Sequence, residues 1–460
     1  MRLAIPFAVL LAVLAIPAVV HGLLPPSAEP LTDPHSLGNL VAPLKAVQVL
    51  GIWPSGDFRF DPEPTVITAV LVALGIASAV FGLWLAWRRQ SLALLLYTTS
   101  LLACAALVLI GSPWNGGKAL ATASPVVLAL AIAGAASVLR IDRLTGVALV
   151  AVIAGGVIWS NLLAYGGVSL APYGQLHELE QIGKRFAGDG PALMTEYNPY
   201  GARHFLRDLE GEGASELRVR EVPLAGGGTV EKGEPVDTDE LALPGLFEYR
   251  TLVLRRSPVR SRPSLPYRRA WAGTYYEVWQ RPEDEATPPE LLALGEPLDA
   301  AAVPECSEVN GLAELALLHQ VPGARLVAAR HAPVYDATQD PFEVPRAGRY
   351  TAWLRGSVRG SVSLDVDGEQ IGEARHQLNE EGGFVELGEA RLAAGPHQVK
   401  LHFGGADLHP GSGGFPRPET GPLLFTPSGR EAGALVAVPV AESNRLCGKP
   451  WDWIAALGSG

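Results

Sequence analysis

The stretch TVITAVLVALGIASAVFGLWLAW, residues 65–87, contains no charged side chain and is followed by Arg88 and Arg89. A helix that crosses the roughly 30 Å hydrocarbon core of a membrane needs about 20 apolar residues. Four further stretches have this length and character, at residues 3–24, 92–110, 120–139 and 145–165. The sequence therefore predicts a transmembrane helical domain of about five helices over residues 1–165.

Basic residues in the short connections predict the orientation of this domain. If five helices span, one side of the membrane carries Arg2, Arg88, Arg89, Arg140 and Arg143. Because positively charged loops favour the cytoplasm, we expect a multi-pass plasma-membrane protein with a cytoplasmic N-terminus and exterior C-terminal domains. The alternative is that residues 1–22 form a cleaved signal peptide, which leaves four spans and the same exterior part.

The residues after the last apolar stretch have the composition of soluble domains. Helical spacing at residues 175–186 and several short apolar runs predict an extracytoplasmic α/β domain over residues 171–282. The runs that predict strands lie at residues 192–196, 217–222, 251–255 and 275–280.

The C-terminal third of the chain has an all-β pattern. Residues 283–320 are rich in Pro, Glu and Ala and predict a linker with a short helix. Many short alternating runs predict a β-sandwich of the jelly-roll type over residues 321–447, and Asp367-Gly368 is a hairpin signal within it. Residues 448–460 are predicted to be a C-terminal tail.

The chain has three cysteines. Cys104 lies in a predicted membrane helix, where we expect a small buried apolar side chain. Cys306 and Cys447 flank the predicted sandwich, and an exterior, oxidising location predicts a disulfide between them. The alternative is two separate thiols.

Composition and motifs exclude several functions. The net charge of −11 gives no case for nucleic-acid binding. The sequence contains no Gly-rich phosphate loop and no metal-binding motif, so we predict no cofactor and no metal. Catalytic residues are not identified: the acidic groups nearest the predicted helices are either a general base or solvated loop charges. These groups are Asp33 with His35, and Asp57 with Asp61 and Glu63.

Two cationic features are candidate binding sites. Lys118, with Asn115 in the same short exterior loop, is placed to hold a lipid-linked phosphate or simply to lie at the membrane interface. A second feature is a basic run that faces anionic headgroups or a phosphorylated donor, or is a solvated loop. Its members are Arg250, Arg255, Arg256, Arg260, Arg262, Arg268 and Arg269.

Several stretches resemble a known family. LGIWPSGDFR at residues 50–59, GKAL at 117–120 and NPYGAR at 198–203 are similar to segments of actinobacterial membrane glycosyltransferases of the GT-C type. The resemblance implies assembly of cell-envelope glycan from a polyprenyl-phosphate-linked sugar outside the membrane. It also implies that Lys118 contacts the phosphate. The sandwich resembles the galactose-binding jelly rolls of carbohydrate-binding modules. Trp353 or Phe384 would line an aromatic groove on it, although the position of Trp353 within a predicted strand favours the core for that residue.

The chain departs from the family pattern in one respect. GT-C enzymes carry their catalytic acid in the first exterior loop of a larger bundle, and the resembling region here corresponds to their C-terminal half. No catalytic residue is therefore carried over. The leading prediction is a GT-C-like glycosyltransferase or its C-terminal part, with membrane lipids, envelope polysaccharide and a separate catalytic membrane subunit as partners. The alternative is a non-catalytic, membrane-anchored glycan-binding or scaffolding protein.

Overall fold

The computed structural model describes residues 33–38, 40–62, 65–166, 171–282, 290–295, 301–318, 323–338, 341–380, 382–404, 421–428 and 434–457. The described residues belong to two compact units, a helix unit over 33–166 and a second unit over 171–457. The first predicted apolar stretch, residues 3–24, and the alternative of its cleavage lie outside the described residues.

Four helices of the first unit are long and apolar enough to cross a membrane. They are α1 (Thr65–Arg88), α2 (Leu92–Ile110), α3 (Pro113–Val138) and α4 (Arg143–Gly166). This confirms four of the predicted membrane helices, while their orientation stays a prediction. Helix α3 begins ahead of its predicted start at residue 120, because the Ser112 hydroxyl accepts the Asn115 backbone N–H at 3.3 Å and Pro113 occupies the first turn. The expected loop around Lys118 is therefore helical.

Helices α1 and α3 cross at glycines. A side-chain carbon added to Gly82 would overlap the backbone oxygen of Leu130, and one added to Gly134 would overlap the backbone oxygen of Ser78. Membrane helices gain their association largely from such close backbone approach, because lipid tails are as apolar as leucine side chains. The glycine pair therefore sets the distance between the two helices.

The segment before α1 enters the helix bundle. A short 3-10 helix (Ala46–Leu50) is followed by Ile52, whose side chain is 0% exposed. Ile52 fills the space left by Gly75 of α1 and Gly156 of α4. Gly75 lies about ten residues beyond the start of α1, so the segment reaches about 15 Å along the bundle, half the thickness of a hydrocarbon core. The apolar run at residues 40–50 predicts a short helix on the membrane surface; a short helix is present there, and its place relative to the membrane stays a prediction.

The second unit begins with a five-stranded sheet in the order β2-β1-β3-β5-β4. Strand β1 is parallel to β2 and β3, and the other pairs are antiparallel. Three helices accompany it, which confirms a mixed α/β arrangement. The elements are α5 (Tyr173–Arg185), β1 (Ala192–Met194), α6 (Pro199–Phe205), β2 (Gly211–Gly213), α7 (Leu243–Leu246), β3 (Thr251–Arg255), β4 (Arg268–Ala272) and β5 (Tyr276–Gln280).

One strand prediction in this sheet is wrong. Residues 217–222 form no strand, and β2 lies earlier in the chain. Leu217 has a positive φ of 57°, which is incompatible with a strand. The backbone N–H groups of Val219 and Arg220 donate instead to the Glu212 carboxylate, each at 3.1 Å. A side chain thus satisfies the donors that a neighbouring strand would have bonded.

Residues predicted as a linker form part of a further sheet. They contain β6 (Glu290–Ala293) and α8 (Cys306–Leu318), which are followed by β7 (Arg325–Ala329). Buried residues of α8, including Val309 and Ala316, pack on the face of this sheet. The described part of the predicted linker therefore contains a strand as well as the predicted helix.

The region predicted to be a sandwich follows β7, and we call its described residues between 335 and 427 the sandwich. Its described strands form sheets in the orders β13-β10-β16-β8, β12-β11-β15 and β14-β9, and side chains from all three share one core. Asp367 and Gly368, with φ of 54° and 85°, form the predicted hairpin between β11 and β12. The strands are β8 (Tyr335–Asp336), β9 (Phe342–Val344), β10 (Gly348–Arg355), β11 (Val358–Val366), β12 (Glu369–Gln377), β13 (Phe384–Leu392), β14 (Gly395–His397), β15 (Val399–Gly404) and β16 (Leu423–Pro427). A region rich in sheet is confirmed, and the jelly-roll topology stays a prediction.

After the sandwich the chain returns to the sheet of β6 and β7. Strands β17 (Leu435–Pro439) and β18 (Trp453–Leu457) complete the order β17-β7-β18-β6. Residues 453–457 were expected in a tail, but β18 is an inner strand with Trp453 buried, because its apolar side chains pack on both faces. The predicted Cys306–Cys447 disulfide is confirmed, and it joins parts of this sheet layer rather than the sandwich itself.

Replacing Gly82 with alanine should destabilise the helix unit. The added methyl group must push α1 away from the backbone of α3, and overpacking of this kind costs about 1–3 kcal/mol. Thermal unfolding of the full-length protein in one detergent measures the effect.

Gly155→Ala is the matched control, because a side-chain carbon at this helical glycine meets no heavy atom within 4 Å. We expect this substitution to leave the unfolding temperature unchanged or raise it slightly. Equal destabilisation by both substitutions would contradict a role for the α1–α3 crossing.

Candidate functional site

The second unit contains a cleft of about 800 Å³. Its walls come from the segment between β3 and β4, the residues that follow β7, and the sandwich strands β10 and β16. Seven arginines line it: Arg255, Arg256, Arg260, Arg262, Arg268, Arg269 and Arg330. The lining carboxylates are Glu277, Glu389 and Asp452. We call this cavity the arginine cleft.

The charge of the arginine cleft is opposite to that of the whole protein. Arginines outnumber carboxylates in the lining, whereas the chain carries a net charge of −11. A concave surface of one sign concentrates counter-ions, so the arginine cleft attracts anions. Six of the seven arginines in the predicted basic run lie here, and Arg250 instead pairs with Asp189 at 3.6 Å. The basic run is thus part of a cleft wall rather than a solvated loop.

Two arginines stack on tryptophans in the lining. The Arg256 guanidinium lies 5.5 Å from the Trp353 ring centroid, and Arg262 lies 5.5 Å from that of Trp279. Trp353 is only 7% exposed and donates its ring N–H to the Thr426 hydroxyl at 2.9 Å. Phe384 is buried beside it. These two aromatics are core residues, and they do not form the open sugar-binding groove that was the other interpretation.

Arg260 connects the α/β part of the second unit to the sandwich. Its guanidinium donates to the Thr195 hydroxyl at 2.9 Å and to the Glu380 carboxylate at 3.1 Å. The second oxygen of Glu380 accepts the Tyr197 backbone N–H at 2.8 Å. Burial raises the pKa of Glu380 to about 7, although Arg260 acts in the opposite direction.

His331 lines the cleft with both ring nitrogens engaged. Nδ1 lies 2.8 Å from a carboxylate oxygen of Asp452, and Nε2 lies 3.0 Å from the Pro258 carbonyl oxygen. Both partners are acceptors, and only the imidazolium form has a proton for each. Burial acts to lower the pKa of His331, but Asp452, the Pro258 carbonyl and the more distant Asp237 outweigh it and raise the pKa above its usual value.

The two predicted phosphate contacts lie in the helix unit. Lys118 is exposed, and its ammonium lies 4.8 Å from the Trp114 ring centroid. The Asn115 side-chain amide donates to the Ser112 hydroxyl at 2.9 Å, so it takes part in the cap of α3. No further phosphate-binding group accompanies them in the described residues of this turn, and their predicted role stays a prediction.

The acidic candidates for a general base are engaged by neighbouring residues. Asp57, whose side chain is fully buried, makes a bidentate pair with Arg59, with distances of 2.9 Å and 2.7 Å. Asp61 pairs with Lys45 at 2.7 Å, and Asp33 accepts the His35 backbone N–H. Glu63 lies outside the described residues. These carboxylates therefore stabilise the local fold of the segment before α1.

Three residues that line one side of the arginine cleft were not identified from the sequence. Arg330 and His331 follow β7, and Asp452 precedes β18 at the other end of the sandwich. Their proximity comes from the pairing of β7 with β18. A spacing signal would not have identified them, because more than a hundred residues separate the two segments in the sequence.

Comparison with known proteins does not identify the chain. No family model matches the sequence, and no curated protein is significantly similar to it. The resemblance to GT-C glycosyltransferases and to carbohydrate-binding modules therefore stays a prediction.

Replacing His331 with glutamine should reduce stability in a pH-dependent manner. A histidine whose pKa is raised on folding stabilises the protein fully below its unfolded pKa of about 6.5, and this contribution is lost as the pH rises through the raised value. Hydrogen bonds to charged groups contribute about 1.5–3 kcal/mol, which sets the expected difference at acidic pH.

Thermal unfolding of both full-length proteins between about pH 5 and about pH 9 measures this difference. The advantage of the unmodified protein should shrink as the pH increases. A difference that is constant across this range would show that the pKa of His331 is the same in the folded and unfolded states.

Proposed function

We propose that this chain is a membrane-anchored protein of cell-envelope glycan assembly and that its second unit binds an anionic glycan in the arginine cleft. The excess of arginines over carboxylates in the cleft lining is the observation that carries this proposal. Guanidinium groups are weakly hydrated and match carboxylate and phosphate oxygens in geometry. A ligand with such groups therefore gains the most from this cavity.

The size and lining of the cleft support an extended ligand. A volume of about 800 Å³ lies within the range of small-molecule sites and can hold several covalently linked rings. The anionic part of the proposal rests on the arginines. The glycan part rests on the resemblance to envelope glycosyltransferases and to the galactose-binding jelly roll, which we propose as the topology of the sandwich.

Membrane anchoring places this binding activity at a surface. The four apolar helices support insertion. We further propose that Arg88, Arg89, Arg140 and Arg143 face the cytoplasm, so that the second unit lies outside. Lys118 and Asn115 would then lie at the exterior surface, where anionic lipid phosphates are available.

Transfer from a polyprenyl-phosphate-linked sugar is proposed for an assembly rather than for this chain alone. A general base must be free to accept a proton from the acceptor hydroxyl. Asp57 would have to break its buried pair with Arg59, and Asp61 its pair with Lys45. These pairs favour a binding role for this chain and a separate catalytic membrane subunit as its partner.

Binding to acidic polysaccharide tests the proposal. Full-length protein in nanodiscs is titrated with a uronate-bearing polysaccharide, a phosphodiester-linked polysaccharide and neutral dextran. We expect saturable binding of at least one acidic polymer, weakened by added salt because the contacts are ionic. Equal binding of dextran, or no binding of any polymer, would overturn the proposal.

A pair of charge reversals locates the binding surface. Arg268→Glu changes an exposed arginine of the cleft, and Arg207→Glu changes an exposed arginine outside its lining. The first should weaken binding of the acidic polymer about tenfold, and the second should have little effect. Similar losses in both variants would indicate a nonspecific charge effect.

A further inference from the structure

The positive charges of the arginine cleft are unevenly neutralised. Arg260 pairs with Glu380 at 3.1 Å, and Arg269 pairs with Glu277 at 3.0 Å. Arg330 differs from them: within the described parts of the chain, no carboxylate lies within 4.0 Å of its guanidinium. Its side chain instead lies over the Trp451 ring, 5.8 Å from the centroid. As far as the described residues go, the donors of this guanidinium are therefore open to a ligand.

His331, the residue after Arg330, contributes a second positive charge to the cleft. His331 bridges two acceptors, the Asp452 carboxylate and the Pro258 carbonyl, which favours the imidazolium form. The Asp452 carboxylate also accepts the Arg262 backbone N–H at 3.4 Å. Because Asp452 is buried and engaged in these contacts, it is held toward His331 and Arg262.

A buried arginine contributes a third positive charge. Arg255 is 3% exposed, and its hydrogen bonds go to the neutral side chains of Gln377 and Asn379. No carboxylate forms an ion pair with it within the described residues, and its remaining neighbours include the Tyr275 and Tyr276 rings. An anion bound in the adjacent cleft would offset this charge through a medium of low dielectric constant.

We propose that the arginine cleft contains an anion subsite centred on Arg330, which binds a phosphate or carboxylate group of the ligand. This inference rests on the proposed function, because it assigns the position at which an anionic glycan is recognised. The planar guanidinium binds either group through two parallel hydrogen bonds. The Trp451 ring beneath it limits the orientations of the side chain, which reduces the entropy lost on binding.

A matched pair of substitutions tests the subsite. Arg330→Gln and Arg269→Gln each remove one positive charge from the cleft lining, so their effect on its net charge is the same. Within the described residues Arg330 has no carboxylate partner, whereas Arg269 already donates to Glu277. A difference between the two variants therefore isolates the direct contact from the change in net charge.

Full-length protein in nanodiscs is titrated with glucose 6-phosphate, glucuronate and glucose, with unfolding curves to verify the fold of each variant. We expect one of the two anionic sugars to bind more tightly than glucose, which identifies phosphate or carboxylate as the preferred group. Arg330→Gln should weaken that binding at least about tenfold, and Arg269→Gln less than about threefold.

The outcomes separate this inference from the proposed function. Equal losses in both variants, or retention of binding by Arg330→Gln, would overturn the subsite while binding of acidic polysaccharide still stands. Preference for glucose over both anionic sugars would also overturn it. Failure of the unmodified protein to bind any acidic polysaccharide would overturn the proposed function, and the subsite with it.

Discussion

The burial of Arg255 is the constraint on which the second unit depends. Guanidinium groups are charged in proteins, and burying a charge costs several kcal/mol when, as here among the described residues, no carboxylate pairs with it. The amide oxygens of Gln377 and Asn379 offset part of this cost, and they belong to the end of β12 and the turn that follows it. The end of β3 is thereby fixed against the sandwich. Because Arg256 is the next residue and Arg260 lies five residues beyond Arg255, this one contact also positions a wall of the arginine cleft.

The ion pairs around the arginine cleft orient its arginines and leave a net positive charge. Glu380 and Glu386 neutralise Arg260 and Arg256, and neither glutamate lines the main cavity. A carboxylate placed behind an arginine restrains the side chain while its remaining donors can still face the cavity. Screening by salt limits the reach of exposed charges to about 8–10 Å, so the field of the cleft acts within the cavity itself. The overall negative charge of the protein does not cancel it.

Features that depend on one local stretch were predictable, and features that depend on distant partners were not. Apolarity of a single run is sufficient to predict a membrane helix, and Asp367-Gly368 favours its hairpin through the φ angles of those two residues alone. The prediction of a strand at residues 217–222 was wrong because two of its backbone N–H groups donate to the Glu212 carboxylate instead of to a neighbouring strand. The basic run of the arginine cleft was predicted from the sequence. The position of Arg330 was not, because it depends on how β7 pairs with β18.

The segment before α1, which packs between the helices of the helix unit, is held in place by many contacts. Polar backbone inside a membrane must be satisfied by protein groups. Trp53 donates its backbone N–H to the Ser160 hydroxyl at 2.8 Å and its ring N–H to the Phe60 carbonyl at 2.9 Å, and Asp57 is held by Arg59. A segment fixed by so many contacts cannot rearrange around a reacting sugar without losing them. These contacts support the proposal that the helix unit serves for anchoring and for contact with a membrane partner, and that the arginine cleft recognises the ligand.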